Sequence, residues 1–176
     1  MATVSAGLFL SSQCSGINLK DNILSNNIAN NYNSSSKCYS VYNAGNNGVY
    51  SSTNYNDYYG TGTQYVFGFQ SSDKTSLAEW QAATGGDQQS MNLDPQFQSG
   101  TLIQPQQGSP VLAAGTPIAG ITTDFDFVTR SATNPSMGAY EGAFELPAVD
   151  WCNLSSPHTA LKAEGLTIRV KALVEE

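Results

Sequence analysis

An all-β fold built as a parallel β-solenoid, with one short helix and a loop-rich C-terminal cap, is what three observations on this sequence predict. Short apolar groups recur along residues 1–70: Leu8-Phe9-Leu10, Ile17 with Leu19, Ile23-Leu24, Tyr39 with Val41, Val49-Tyr50 and Tyr65-Val66-Phe67. Asn or Gly clusters bound each of them, as tight turns bound short strands. The groups return at roughly 20-residue intervals, a period that belongs to stacked repeats. Leu, Ile, Val and Phe total 36 of 176 residues, and a narrow shared interior needs fewer of them than a thick core. A loop-rich sandwich and an Asn/Ser linker compete for the same composition.

The first 70 residues suit corners as well as strands. Twelve of the fifteen Asn and eight of the nine Tyr precede residue 66, and Asn tolerates the left-handed backbone of a tight corner. The period then changes. Ser76-Leu77-Ala78-Glu79 fits a capping box, Leu77, Trp80 and Ala83 share one helical face, and Gly85-Gly86 supplies a stop. These residues predict a helix of two to three turns with Trp80 facing inward. Residues 93–147, punctuated by Pro95, Pro105, Pro110, Pro117, Pro135 and Pro147, read as turns and short strands. Thr167 to Val174 alternates Ile168, Val170 and Ala172 against Arg169 and Lys171, as a half-buried antiparallel strand does. A lone strand needs partners, so residues 148–176 read as the start of a truncated module or a tail.

Charge narrows the classes of partner. Seven Lys plus Arg stand against fourteen Asp plus Glu, a net charge of −7. A nucleic-acid binder needs a basic face to displace counterions, so no nucleic acid is expected. No apolar run nears the roughly 20 residues of a membrane span. Only 12% of residues are charged, which disfavours charge-driven disorder. The N-terminus lacks early Lys or Arg, and its apolar stretch Ala6–Leu10 is too short for a signal peptide. Cys14, Cys38 and Cys152 form no CxxC pair, so a zinc site is not expected. Free thiols and a Cys14–Cys38 disulfide are both compatible with the spacing.

A longer motif carries a family resemblance. KTSLAEWQAATGGDQQSMNLDPQF, followed by GSPVLAAGTPIAGITTDFDFVTRSATNPSMGAYE, resembles the C-terminal part of bacterial secreted right-handed parallel β-helix proteins. There a pectate-lyase-like solenoid ends in a choice-of-anchor Q domain. The match spans 75–141 and, more weakly, 16–70. It implies right-handed terminal β-helix coils over 1–74 and a capping helix with a choice-of-anchor Q-like cap over 75–147. An Ig-like module would then open at 148–176, in a parent protein that is secreted or displayed at the cell surface. The chain departs from the family at acidic positions: Ala113 replaces an Asp in GSPxIDAGTP, and Asp124-Phe125-Asp126-Phe127-Val128-Thr129-Arg130 lacks the Gly and last acid of DFDGDxR. Tyr140 stands in the GADE stretch, and Thr101-Leu102-Ile103-Gln104-Pro105 replaces T-D-L-H-L.

No grouping with the spacing of a catalytic centre emerges. A lyase needs a base of depressed pKa and acids that hold Ca²⁺, yet residues 1–74 offer only Lys20, Lys37 and Lys74 with Asp21, Asp57 and Asp73. The sole histidine, His158, follows Pro157 and reads as a surface loop residue, and no G-x-S-x-G is present. Asp124, Asp126 and Glu141 are the candidate metal ligands, for calcium; their alternative role is to fix turns through backbone or Arg130 hydrogen bonds. Tyr55, Tyr58, Tyr59 and Trp80 are the candidate carbohydrate-binding residues, because a ring covers the apolar face of a sugar; packing is their alternative role. The expected function is a non-catalytic extracellular or cell-surface module that binds or displays polysaccharide. A fragment of a polysaccharide lyase or glycoside hydrolase, and a structural adhesin stalk, are the alternatives.

Overall fold

A computed structural model describes residues 4–28 and 35–143, with two short strands beyond them. The chain divides into two compact units, Met1–Glu145 and Leu146–Glu176. In the second unit β9 (Lys162–Ala163) pairs antiparallel with β10 (Leu166–Thr167). Of the expected strand Thr167 to Val174 only Thr167 is described, in β10; its other residues and His158 lie outside the described residues.

The first unit opens with three strands, β1 (Val4–Leu10), β2 (Ile17–Lys20) and β3 (Ile23–Asn26). Each has a parallel partner further along the chain: β4 (Lys37–Asn43) beside β1, β5 (Tyr50–Asn54) beside β2, and β6 (Asp57–Gly60) beside β3. Then β7 (Tyr65–Gln70) adds parallel to β4. Ser71, in the left-handed backbone region at φ 59°, turns the chain back. The next strand, β8 (Ser72–Lys74), therefore pairs antiparallel with β7.

The expected right-handed parallel β-helix is corrected by these sheets. They number four, two and two strands, in the orders β1-β4-β7-β8, β2-β5 and β3-β6, and none continues as a solenoid sheet. Addition of parallel strands stops because β8 reverses and because, between 85 and 143, the chain pairs only through isolated bridges. The expected 20-residue period is corrected too. Asn22 meets Asn56, and Asn56 meets Ser90, 34 residues apart in each case.

The buried strand positions explain why few large apolar residues suffice. Val41, Tyr58, Phe67 and Trp80 form the core, with Leu8, Leu24, Tyr50 and Leu77 packed against them. Gly68 leaves room for this packing, since a Cβ there would lie 3.0 Å from the Trp80 ring and 3.1 Å from Val41, so those side chains would have to give way. Helix α1 (Leu77–Thr84) delivers Trp80 as predicted. Ser76 Oγ accepts the Glu79 N–H, and Gly85 ends the helix at φ 72°. Glu79 reaches back one residue further than the box requires, accepting from the Thr75 N–H at 2.7 Å.

The core also contains a carboxylate. Asp87 is fully buried, and Trp80 Nε1, Thr53 Oγ1 and Tyr58 OH donate to its Oδ2 at 2.8–3.0 Å. Its Oδ1 accepts from Asn56 Nδ2 at 3.1 Å and Ser90 Oγ at 2.6 Å. Five donors more than fill the roughly four lone-pair sites of a carboxylate, so this buried group ties α1 to β5 and β6 without an orphaned oxygen.

Candidate functional site

The irregular stretch 113–138 folds over the turn between β2 and β3 and leaves a cleft of about 510 Å³. Asp21 anchors the overlay. At φ 56° it turns the chain, its Oδ1 accepts the Thr116 N–H at 2.9 Å, and its carbonyl accepts the Gly138 N–H at 2.7 Å. A side chain at Gly115 would place Cβ 2.8 Å from that Oδ1, so the approach requires glycine. Burial raises the Asp21 pKa above its ordinary value, against the opposing Thr116 hydrogen bond and the Arg130 and Lys20 charges.

Arg130 forms the opposite wall. Its Nη1 donates to the Ser136 carbonyl at 2.9 Å and to Glu141 Oε2 at 3.4 Å, and its Nη2 donates to the Gly138 carbonyl at 2.7 Å. Its Nε is buried without a partner among the described residues. Between these walls the cleft presents Thr122, Thr129 and Ser131 beside Pro117, Ile118, Ile121 and Ala132, with Lys20 also on the wall. Hydroxyls set against apolar carbon can hold a ligand that is itself hydroxylated on its edges and apolar on its faces.

The sequence-derived site residues fall elsewhere. Tyr58 and Trp80 are fully buried, their rings set against each other and against Phe67. Tyr55 and Tyr59 are half-buried. Tyr55 occupies the turn equivalent to that of Asp21, with the same φ of 56°, and Tyr59 OH donates to Asp94 Oδ2 at 3.1 Å; neither lines the cleft. Asp124 and Glu141 spend their oxygens on the backbone. Asp124 Oδ1 accepts the Asp126 and Val128 N–H groups, both at 2.8 Å, and Oδ2 accepts the Glu141 N–H at 2.8 Å. Glu141 Oε1 accepts the Ser131 N–H at 2.7 Å and Oε2 the Ser136 N–H at 3.1 Å. Asp126 is exposed. Among the described residues no three His, Cys, Asp or Glu side chains are grouped to hold a metal ion. Cys14 and Cys38 are free thiols, and Cys38 Sγ donates to the Ile28 carbonyl at 2.9 Å.

Two features escaped the sequence. Phe9, Tyr42 and Phe69 stack in a row across β1, β4 and β7, with centroids 5.4 and 4.4 Å apart and planes within 11°. Their repeated place, one residue after the inward Leu8, Val41 and Gly68, is the signal that could have found them. Their faces cover one another, so this stacking leaves free only the outer faces of the two end rings, Phe9 and Phe69. The second feature is Asp57, fully buried on β6. Its Oδ1 accepts the Leu93 N–H at 3.0 Å, while Oδ2 has no partner among the described residues. Burial lifts its pKa to about 7, and the Asp94 charge pushes the same way.

No protein-family model matches the chain, and no curated protein or solved structure matches it either. The choice-of-anchor Q resemblance therefore rests on the quoted motifs alone. Among the described residues no helix is long and apolar enough to cross a membrane.

Proposed function

We propose that this chain is a non-catalytic polysaccharide-binding module whose cleft, between Asp21 and Arg130, receives the sugar. One observation carries the reading: a cleft of about 510 Å³ in which Thr122, Thr129 and Ser131 sit beside Ile118 and Ile121. That volume lies within the roughly 300–1,000 Å³ of ordinary ligand pockets. The carboxylates near it accept N–H groups or pair with Arg130, which fits a role in holding the walls. A net charge of −7 repels polyanions, which favours a neutral polysaccharide.

Affinity electrophoresis through gels containing neutral or acidic polysaccharide tests this directly. Retardation by a neutral polymer is expected, and Ala132→Trp, which fills the cleft from an exposed wall position, should weaken it by about tenfold or more. Equal mobility in every gel, or retardation indifferent to Ala132→Trp, removes the assignment.

A further inference from the structure

The two edges of the four-stranded sheet differ in kind. One edge is β8, three residues long, with Asp73 paired to Lys37 and Lys74 Nζ donating to Ser72 Oγ. A short, charged strand resists the addition of another. The other edge is β1, seven residues reading VSAGLFL, with no charge and no proline. On one side it pairs with β4, and no described strand pairs with its other side. Its unpaired N–H and C=O groups can be satisfied by water or by a further strand. Val4 is 56% and Phe9 59% exposed, and Ile28, just past β3, is 58% exposed.

We propose that a second copy of this chain covers that edge, β1 pairing with β1 about a two-fold axis. A two-fold axis normal to the sheet makes the two strands antiparallel and joins the sheets into one of eight strands, inside the usual range of about ten. Charge favours a copy as the occupant. Residues 4–28 contain only Lys20 and Asp21 as charged side chains, in a chain whose net charge is −7. This end of the molecule therefore meets itself with little like-charge repulsion. Size agrees as well. The outer edges of β1, β2 and β3, of seven, four and four residues, together with the turn 11–16 between β1 and β2, approach the roughly 20–30 residues a side of a stable interface. Because β8 is blocked by charge, the pairing closes at two copies.

Light scattering coupled to gel filtration, with sedimentation equilibrium from low micromolar to millimolar concentration, tests the proposal on the full chain. The expected mass is twice 18.7 kDa. Phe9→Lys, on the exposed end of the aromatic row, should raise the dimer dissociation constant by more than about tenfold. Ala6→Lys on the same strand provides a second route should Phe9→Lys unfold, with circular dichroism as the check on folding. Ser72→Lys, on the opposite edge, should leave the dimer intact. A monomer at millimolar concentration overturns the proposal. So does a dimer indifferent to both β1 variants, a dimer lost only with Ser72→Lys, or a ladder of masses beyond two copies.

Discussion

The strand-bearing part of the chain, residues 4–75, and the irregular part, residues 85–143, satisfy their backbones in opposite ways. In the first, parallel strands pair N–H with C=O, and side chains are left to build a core around Val41, Tyr58, Phe67 and Trp80. In the second, turn and long-range backbone bonds such as Gln106 N–H to the Gln96 carbonyl are supplemented by side-chain carboxylates. Asp124 takes three backbone N–H groups and Glu141 takes two, while Arg130 covers two carbonyls. The contrast teaches that an acid in a proline-rich, strand-poor segment is first a structural acceptor, because buried or half-buried backbone must find partners somewhere.

Variants sharpen this contrast. The largest effect is expected for Asp87→Ala, where the two parts meet. It orphans five donors around a fully buried site, so a loss of about 3–5 kcal/mol in urea unfolding is expected. A loss under about 1 kcal/mol would show that the network is ornamental to stability. Next comes the pH dependence set by Asp57. Its folded-state pKa, about 7, lies above the ordinary carboxyl value of 3.8. The contribution of Asp57 is therefore full below pH 4 and is lost as pH rises from there through 7, by up to about 4 kcal/mol at about 1.4 kcal/mol per unit. Asp21, raised in the same sense by burial, adds to the slope. Asp57→Asn should flatten most of it; an unchanged urea midpoint between pH 4.5 and 8 in the parent chain contradicts the assignment.

The irregular part should respond more mildly. Glu141→Ala leaves the Ser131 and Ser136 N–H groups and one Arg130 nitrogen without their carboxylate, for an expected cost of about 2 kcal/mol. Its neighbour Asp126→Ala, exposed, should stay within about 0.5 kcal/mol. Equal costs at the two positions would erase the distinction between an acid that holds backbone and one that does not. The smallest effect is assigned to Phe127→Gly. Phe127 sits at φ 63° and is 86% exposed, so relief of strain should stabilise the hairpin by up to about 1 kcal/mol. A fall in thermal midpoint would mean that the ring makes contacts in solution that offset the strain.

Much of the local structure was legible residue by residue. Ser76, Glu79 and Gly85 announce α1 because capping depends on neighbours within four residues. The apolar groups of residues 4–70 mark where strands lie, since each is set by its own alternation and its flanking turns. Their partners were not legible. Parallel pairing joins residues about 34 positions apart through intervening turns of unequal length, and β7 breaks that spacing by aligning Tyr65 with Cys38. The same distance hid the Phe9, Tyr42 and Phe69 row. The acids at 124, 126 and 141 left a turn and a metal site both open, with the lost glycine of the family motif on the side of the turn. Which of the two it is depends on N–H groups brought in from Ser131, Ser136 and Val128.

Composition and short-range pattern were enough to assign strand, helix and turn to most of the described residues between 4 and 85, and to show an excess of acidic over basic side chains, because those properties reside in neighbouring residues or in the chain as a whole. Where the parallel strands stop, which edge stays open, which carboxylate lies in the core and where a cleft opens were settled only when distant segments met. Burial and the pairing of polar groups are properties of those meetings, and no single stretch of chain contains them.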